Sequence, residues 1–107
     1  MFTDGTLGSY EEYHTLNFLS DKMNFMQPKQ REYISSFIHN FNQHMKNVTD
    51  IKNEHTFRFV LEAVRKEYLI RLLALEEKYD TYFVSHLRNF FVTKIKRTLE
   101  QYTLDNK

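Results

Sequence analysis

Glycine and proline are scarce in this chain, and their scarcity is the strongest constraint on its fold. The 107 residues include two glycines, both before residue 9, and a single proline, Pro28. Sandwiches and barrels of β-strands need many tight turns, and such turns depend on these two residue types. The sequence therefore predicts an all-α protein without a sheet, and its length fits one small domain.

Apolar residues recur at every third or fourth position in four segments, as expected for helices with one buried face. The predicted helices span residues 10–25, 28–47 and 81–102, and a further helix, the third along the chain, is centred on residues 57–75. Short connections between helices favour antiparallel neighbours. We therefore predict an antiparallel bundle of three to four helices.

Local signals mark the ends of these segments. Pro28 suits the first turn of the second helix, because its missing amide would have no partner there. Thr49 and Asp50 are the candidate N-caps of the third helix. Asp80 and Thr81 are the stop signal between the third and fourth helices, and the alternative is one long bent helix.

The predicted domain organisation is simple. Residues 1–8 read as an N-terminal tail, residues 9–103 as a single helical bundle and residues 104–107 as a frayed C-terminus. Thirteen of the 19 residues in 57–75 are apolar. A helix that is apolar on most sides is usually central in its bundle, so we expect the third helix to be the central one.

The sequence contains no pattern that indicates catalysis or a bound cofactor. The absence of cysteine excludes a disulfide framework, a thiolate metal site and a cysteine nucleophile. Glu11 and His14 match half of a di-iron site, but no second Glu-x-x-His pair occurs. His39 and His44 lack the spacing of a helical zinc pair, and phosphate-binding glycine loops and serine nucleophile motifs are missing. We therefore expect a non-enzymatic protein with no cofactor, no metal and no small-molecule substrate.

No segment of the sequence is predicted to enter a membrane. The most apolar stretch, Tyr68–Leu75, contains Arg71 and is far shorter than the roughly 20 residues of a spanning helix. The first residues have neither the basic run nor the apolar segment of a signal peptide. We therefore expect an intracellular, soluble protein.

Basic residues are concentrated in the fourth helix, at Arg88, Lys94, Lys96 and Arg97. Residues 81–107 carry five basic and two acidic side chains, a net charge of +3, whereas the whole chain has +1. Such a patch can bind a phosphate backbone, although cations near a helix C-terminus also interact favourably with the helix dipole. A small nucleic-acid-binding regulator of viral or phage type is therefore the alternative function, although nucleic acid is not the favoured partner.

An excess of large apolar side chains favours a protein partner. The chain has 10 Phe, 7 Tyr and 4 Met, more than so small a domain can usually bury. Phe90, Phe91 and Val92 are consecutive and together cover about 200° of a helix. Only part of such an arc can face the bundle to which the helix belongs, and the same applies to Phe57 and Phe59 at the start of the third helix. These five residues are the candidate interface anchors, for a protein partner or for a homo-oligomer.

Two segments resemble the helical domain of GINS complex subunits. The run Tyr68–Tyr79 is similar to the central helix of that family in its Tyr-Leu start and its Glu-Lys-aromatic end. The run His86–Ile95 resembles the last bundle helix, and Gln43–Met45 lies at the corresponding distance upstream. Arg71 lies one position from the family's arginine. The family's long loop before the last helix, its closing proline and its small β-domain are missing.

The resemblance implies a scaffold subunit of the replicative helicase, held in a heterotetramer by packing of helix faces and without a catalytic residue. It also implies a nuclear location, the alternative being the cytoplasm. Taken with the aromatic residues, it leads us to predict a non-enzymatic interaction or scaffold subunit that assembles through an aromatic helix face. Arg88 and Lys94 are expected to lie at the rim of that interface and to set its orientation.

Overall fold

Helices account for the regular secondary structure of residues 17–105, the part of the chain that the computed structural model describes. Helix α1 is described over residues 17–23 and is followed by α2 (Pro28–Thr49), α3 (Glu54–Leu75) and α4 (Thr81–Asp105). No strand occurs in this part of the chain. The prediction of an all-α helical bundle is confirmed.

The ends of the helices lie close to the predicted ones, with one difference at the C-terminus. Helix α4 continues through Asp105, so residues 104–105 belong to the helix rather than to the predicted frayed end. A connection containing Asp80 separates α3 from α4, so the alternative of one long bent helix is wrong. The predicted tail, residues 1–8, lies outside the described residues.

Helix α3 begins at a side-chain cap that the sequence prediction missed. The Oδ1 atom of Asn53 accepts a hydrogen bond from the backbone N–H of Thr56 at 2.9 Å. This bond satisfies one of the amides that have no partner within the first turn. The prediction that Thr49 or Asp50 caps α3 is wrong, because Thr49 is the last residue of α2 and its hydroxyl donates to the carbonyl oxygen of Lys46.

Removal of this cap has a measurable expected cost. We expect Asn53→Ala to lower the free energy of unfolding by about 1 kcal/mol, measured by urea denaturation followed by circular dichroism. Asn53→Asp is the matched control, because a carboxylate oxygen can accept the same hydrogen bond. Equal losses in the two variants would contradict a capping role for Asn53.

Contacts at both ends of α3 and α4 establish that these helices run antiparallel. The hydroxyl of Tyr102 donates to the carbonyl oxygen of Lys52 at 2.9 Å, just before α3 begins. At the other end, Arg88 and Glu76 form an ion pair with an N···O distance of 2.5 Å. Helix α2 packs against both α3 and α4. The three long helices therefore enclose one core, to which α1 contributes Leu19.

Aromatic rings fill the centre of this core. The ring of Phe41 stacks on that of Phe91 with centroids 4.1 Å apart, and Tyr68 approaches both rings edge-on at 5.2 and 5.7 Å. A hydrogen bond of 3.2 Å joins the hydroxyl of Tyr68 to Nδ1 of His44, so the polar tip of this buried ring has a partner. Burial raises the pKa of Tyr68. Apart from the hydroxyl of this tyrosine, the buried side chains within residues 17–105 are apolar.

Helix α3 buries one side and exposes the other. Its buried residues recur every three or four positions: Phe57, Leu61, Val64, Tyr68, Leu72 and Leu75. This side contacts α2 and α4. The opposite side faces solvent, so the prediction that this helix is central and covered on most sides is wrong.

Candidate interaction surface

Three of the five predicted anchors belong to the core. Phe57, Phe90 and Phe91 are buried, so they cannot serve as surface anchors in this conformation, which corrects the sequence prediction. The ring of Phe57 stacks on that of Tyr102 at 3.7 Å. The rings of Phe90 and Phe91 both lie near Phe41, at 6.5 and 4.1 Å.

The number of helices around α4 explains why the prediction failed. A helix with few neighbours buries only a narrow stripe, and the prediction was that only part of the Phe90–Val92 arc would be covered. Helix α4 packs against both α2 and α3, and α1 contacts it as well, with the ring centroids of Phe18 and His86 4.1 Å apart. The buried residues of α4 therefore cover a wider arc than those of α3, and adjacent residues such as Phe90 and Phe91 both point inward.

The other two predicted anchors are exposed, but they have different surroundings. Val92 lies on α4, where its neighbours one turn away, Asn89 and Lys96, are exposed polar residues. A single exposed apolar residue of this kind is normal on protein surfaces. Phe59 lies on α3 and is 72% exposed, and further apolar residues continue from it along the same side of the helix.

These residues belong to a largely apolar stripe, which we call the α3 outer face: Phe59, Ala63, Lys66, Ile70 and Leu73. Their spacing of four, three, four and three residues places them on one side of the helix. This side lies opposite the buried stripe. Ile70 is 67% exposed and Leu73 is 61% exposed. The outer face therefore presents three large apolar side chains to solvent, interrupted by one lysine.

Ion pairs within α3 flank the outer face. Glu54 pairs with Arg58 at 3.0 Å, Glu62 with Arg65 at 2.5 Å, and Glu67 with Arg71 at 2.5 Å, and all six side chains are substantially exposed. The hydrogen bond from Arg65 lowers the pKa of Glu62, and the charges of Arg65 and Lys66 act in the same direction. Exposed pairs of this kind add little to stability, and an apolar surface with a charged rim is typical of protein interfaces.

A shallow groove adjoins the outer face where α3 meets α2. Its volume is about 300 Å³, and it shares Phe59 and Ala63 with the outer face. Ile51 and Val60, both partly buried, also line it. The groove extends the apolar surface from the exposed side of α3 toward α2.

A larger cleft, of about 550 Å³, lies at the C-terminal end of α4. Lys94, Arg97, Glu100 and Asp105 are among its lining residues, so its charges are mixed. The Nε atom of Arg97 is buried and, among residues 17–105, has no hydrogen-bond partner. Two cations beside two carboxylates do not indicate one class of charged ligand.

The four basic residues of α4 do not share one face. At about 100° per residue, positions 88, 94, 96 and 97 point in different directions around the helix. Arg88 pairs with Glu76, Lys94 and Arg97 line the cleft, and Lys96 is exposed. The structure therefore does not gather them into the single basic surface that a phosphate backbone would require.

The described residues contain neither a cluster of metal-binding side chains nor a membrane-spanning helix. No group of three or more His, Asp or Glu side chains within residues 17–105 could hold a metal ion. Glu11 and His14, the half-site noted in the sequence, lie outside this range. No helix in the described part of the chain is both long and apolar enough to cross a bilayer.

Sequence reasoning found Phe59 but missed the other four members of the outer face, among them the large apolar residues Ile70 and Leu73. The signal was present, because Phe59, Ala63, Ile70 and Ala74 are apolar residues outside the main stripe of the third helix. Testing the helix for a second stripe, rather than reading its apolar excess as a sign of a central position, would have found this side.

Comparison of the chain with models of protein families, with curated proteins and with solved structures finds no match. The resemblance to GINS subunits therefore stays a prediction.

Proposed function

We propose that this chain is a protein-binding module that acts by packing the α3 outer face against another protein. The observation that carries the proposal is the second apolar stripe of α3, where Phe59, Ile70 and Leu73 remain exposed although the core is complete without them. Burying each of these side chains would contribute about 1–2 kcal/mol, which is enough for a stable contact when several act together.

The sequence is the basis for the more specific parts of this proposal, which concern the kind of role and its location. We propose a non-enzymatic role as a subunit or scaffold inside the cell, in which the face supplies adhesion and its charged rim supplies orientation. Participation in a GINS-like replication complex is one form that this role can take. Of the originally predicted anchors, Phe59 belongs to this face, and Ile70 and Leu73 are the further anchors that we propose.

Site-specific photo-crosslinking in cells that produce the chain tests the proposal. A photo-reactive amino acid in place of Leu73 is expected to give a discrete crosslinked adduct, because this side chain is one of the three large exposed apolar members of the proposed contact. The matched control places the same amino acid at Leu104, which is 62% exposed compared with 61% for Leu73 but lies at the end of α4.

Comparison of the two positions decides the outcome. A strong adduct at position 73 with little at position 104 supports a contact specific to the outer face. Equal yields would mean that exposure alone governs the reaction, and no adduct at position 73 would mean that the outer face has no partner; either result would contradict the proposal.

A further inference from the structure

We infer that a second copy of this chain covers the C-terminal part of the α3 outer face (Lys66, Ile70 and Leu73), packed with its α3 antiparallel to the first. This inference rests on the proposed function, since it names the partner of the same surface. It depends on the order of charged and apolar side chains along the exposed side of α3.

The charge order along this side is self-complementary when one copy is reversed. From Lys66 the exposed side continues through Ile70 and Leu73 to Glu77, an exposed residue just beyond the end of α3. The series is therefore cation, apolar, apolar, anion. A second copy running in the opposite direction presents anion, apolar, apolar, cation, so each lysine meets a glutamate.

Helix geometry places these four residues where such a contact requires them. The intervals of four, three and four residues keep the four positions within about 60° of one another around the helix axis. The backbone amide of Glu77 donates to the carbonyl oxygen of Ala74 at 3.3 Å, so a tight helical turn continues past the end of α3 and holds position 77 close to this side.

In an antiparallel pair whose two-fold axis lies between residues 71 and 72, each of the four side chains meets a complementary side chain of the other copy. Ile70 of each copy then packs on Leu73 of the other, and Lys66 of each pairs with Glu77 of the other. A two-fold pair uses the same surface on both subunits, so every contact occurs twice. A parallel arrangement would instead place Lys66 beside Lys66 and Glu77 beside Glu77, where like charges repel.

The size of the contact points to a reversible dimer. One helix face per subunit forms a small interface, which corresponds to association in the micromolar range rather than to a permanent complex. The three intrahelical ion pairs that flank the face lie outside the pairing Lys66, Ile70, Leu73 and Glu77. They therefore need not break on association.

Sedimentation equilibrium of the purified full-length chain, over about 1–500 µM, tests this inference. We expect a concentration-dependent shift from 13.1 kDa toward twice that mass. Lys66→Glu should weaken the dimer about ten-fold or more, because both charge contacts become repulsive, and Glu77→Lys should do the same. The double variant Lys66→Glu with Glu77→Lys should restore association close to that of the unmodified chain.

Two controls separate association from folding and from general charge effects. Lys96→Glu changes the charge of an exposed lysine on α4 by the same amount and should leave the dimer unchanged. Thermal unfolding followed at 222 nm should give similar midpoints for the four charge variants, so that a loss of mass cannot be attributed to loss of the fold.

The remaining outcomes distinguish this inference from the proposed function. A monomer at every concentration, together with an adduct of another protein at position 73 in cells, overturns self-association and leaves the binding function in place. A dimer that the double charge exchange fails to restore overturns the antiparallel arrangement. Absence of both a dimer and an adduct overturns both proposals.

Discussion

Replacement of Phe91 with Ala is expected to lower the free energy of unfolding by about 3–5 kcal/mol. The ring is buried and lies within 6 Å of four other aromatic rings, including those of Phe41 and Tyr68. Truncation to a methyl group removes apolar contacts with all of them and leaves a cavity that rigid rings cannot close. Small domains have a total stability of about 5–15 kcal/mol, so this variant should be close to unfolding.

Chemical denaturation followed by circular dichroism measures this effect, and Phe59→Ala is the matched control. Phe59 is the same residue type on the exposed side of α3, so its truncation should change stability by less than about 0.5 kcal/mol. Similar losses for the two variants would contradict the assignment of Phe91 to the core and Phe59 to the surface.

The second large effect concerns two consecutive leucines of α3. Leu72 is fully buried and Leu73 is largely exposed, although the two differ by one position. Leu72→Asp would place a carboxyl group among apolar side chains without a partner, and we expect a loss of more than about 4 kcal/mol and of cooperative unfolding. Leu73→Asp should retain the fold, with a cost of about 0.5 kcal/mol from its lower helix propensity, but should lose association.

The two variants have the same composition, so any difference between them reflects position alone. Circular dichroism and a thermal melt report on folding, and sedimentation reports on association. An unfolded Leu73→Asp variant would show that α3 is covered on both sides by this chain itself. A dimeric Leu73→Asp variant would place the interface elsewhere.

The helices could be predicted well from the sequence because each has its own periodic apolar stripe. Spacing is a local property, and the main stripes of α2, α3 and α4 are the ones that the structure buries. The stop between α3 and α4 was also readable. Asp80 occurs there, and its Oδ2 atom accepts a hydrogen bond from the backbone N–H of Phe83 at 3.0 Å. The cap of α3 was predicted wrongly, because Thr49 and Asp50 are as suitable by residue type as Asn53, which is the cap in the structure.

The exposed surface could not be predicted in the same way, because exposure depends on where the neighbours of a helix lie around it. Phe90 and Phe91 appeared to be too many rings for one face, yet the helices packed around α4 bury both. Ile70 and Leu73 appeared to be part of a central helix, yet α3 has neighbours on one side only. Periodicity identifies apolar positions, whereas the arrangement of the helices decides which of them water reaches.

The contact between Tyr102 and the start of α3 affects how the last helix can open. Terminal turns of a helix usually unwind independently of the rest of a domain. Here the ring of Tyr102 stacks on buried Phe57, and its hydroxyl binds the Lys52 carbonyl, 50 positions earlier in the chain. Unwinding of α4 from its C-terminus back through Tyr102 therefore requires the ring pair to separate, so opening of the C-terminal turns becomes part of a larger cooperative unit.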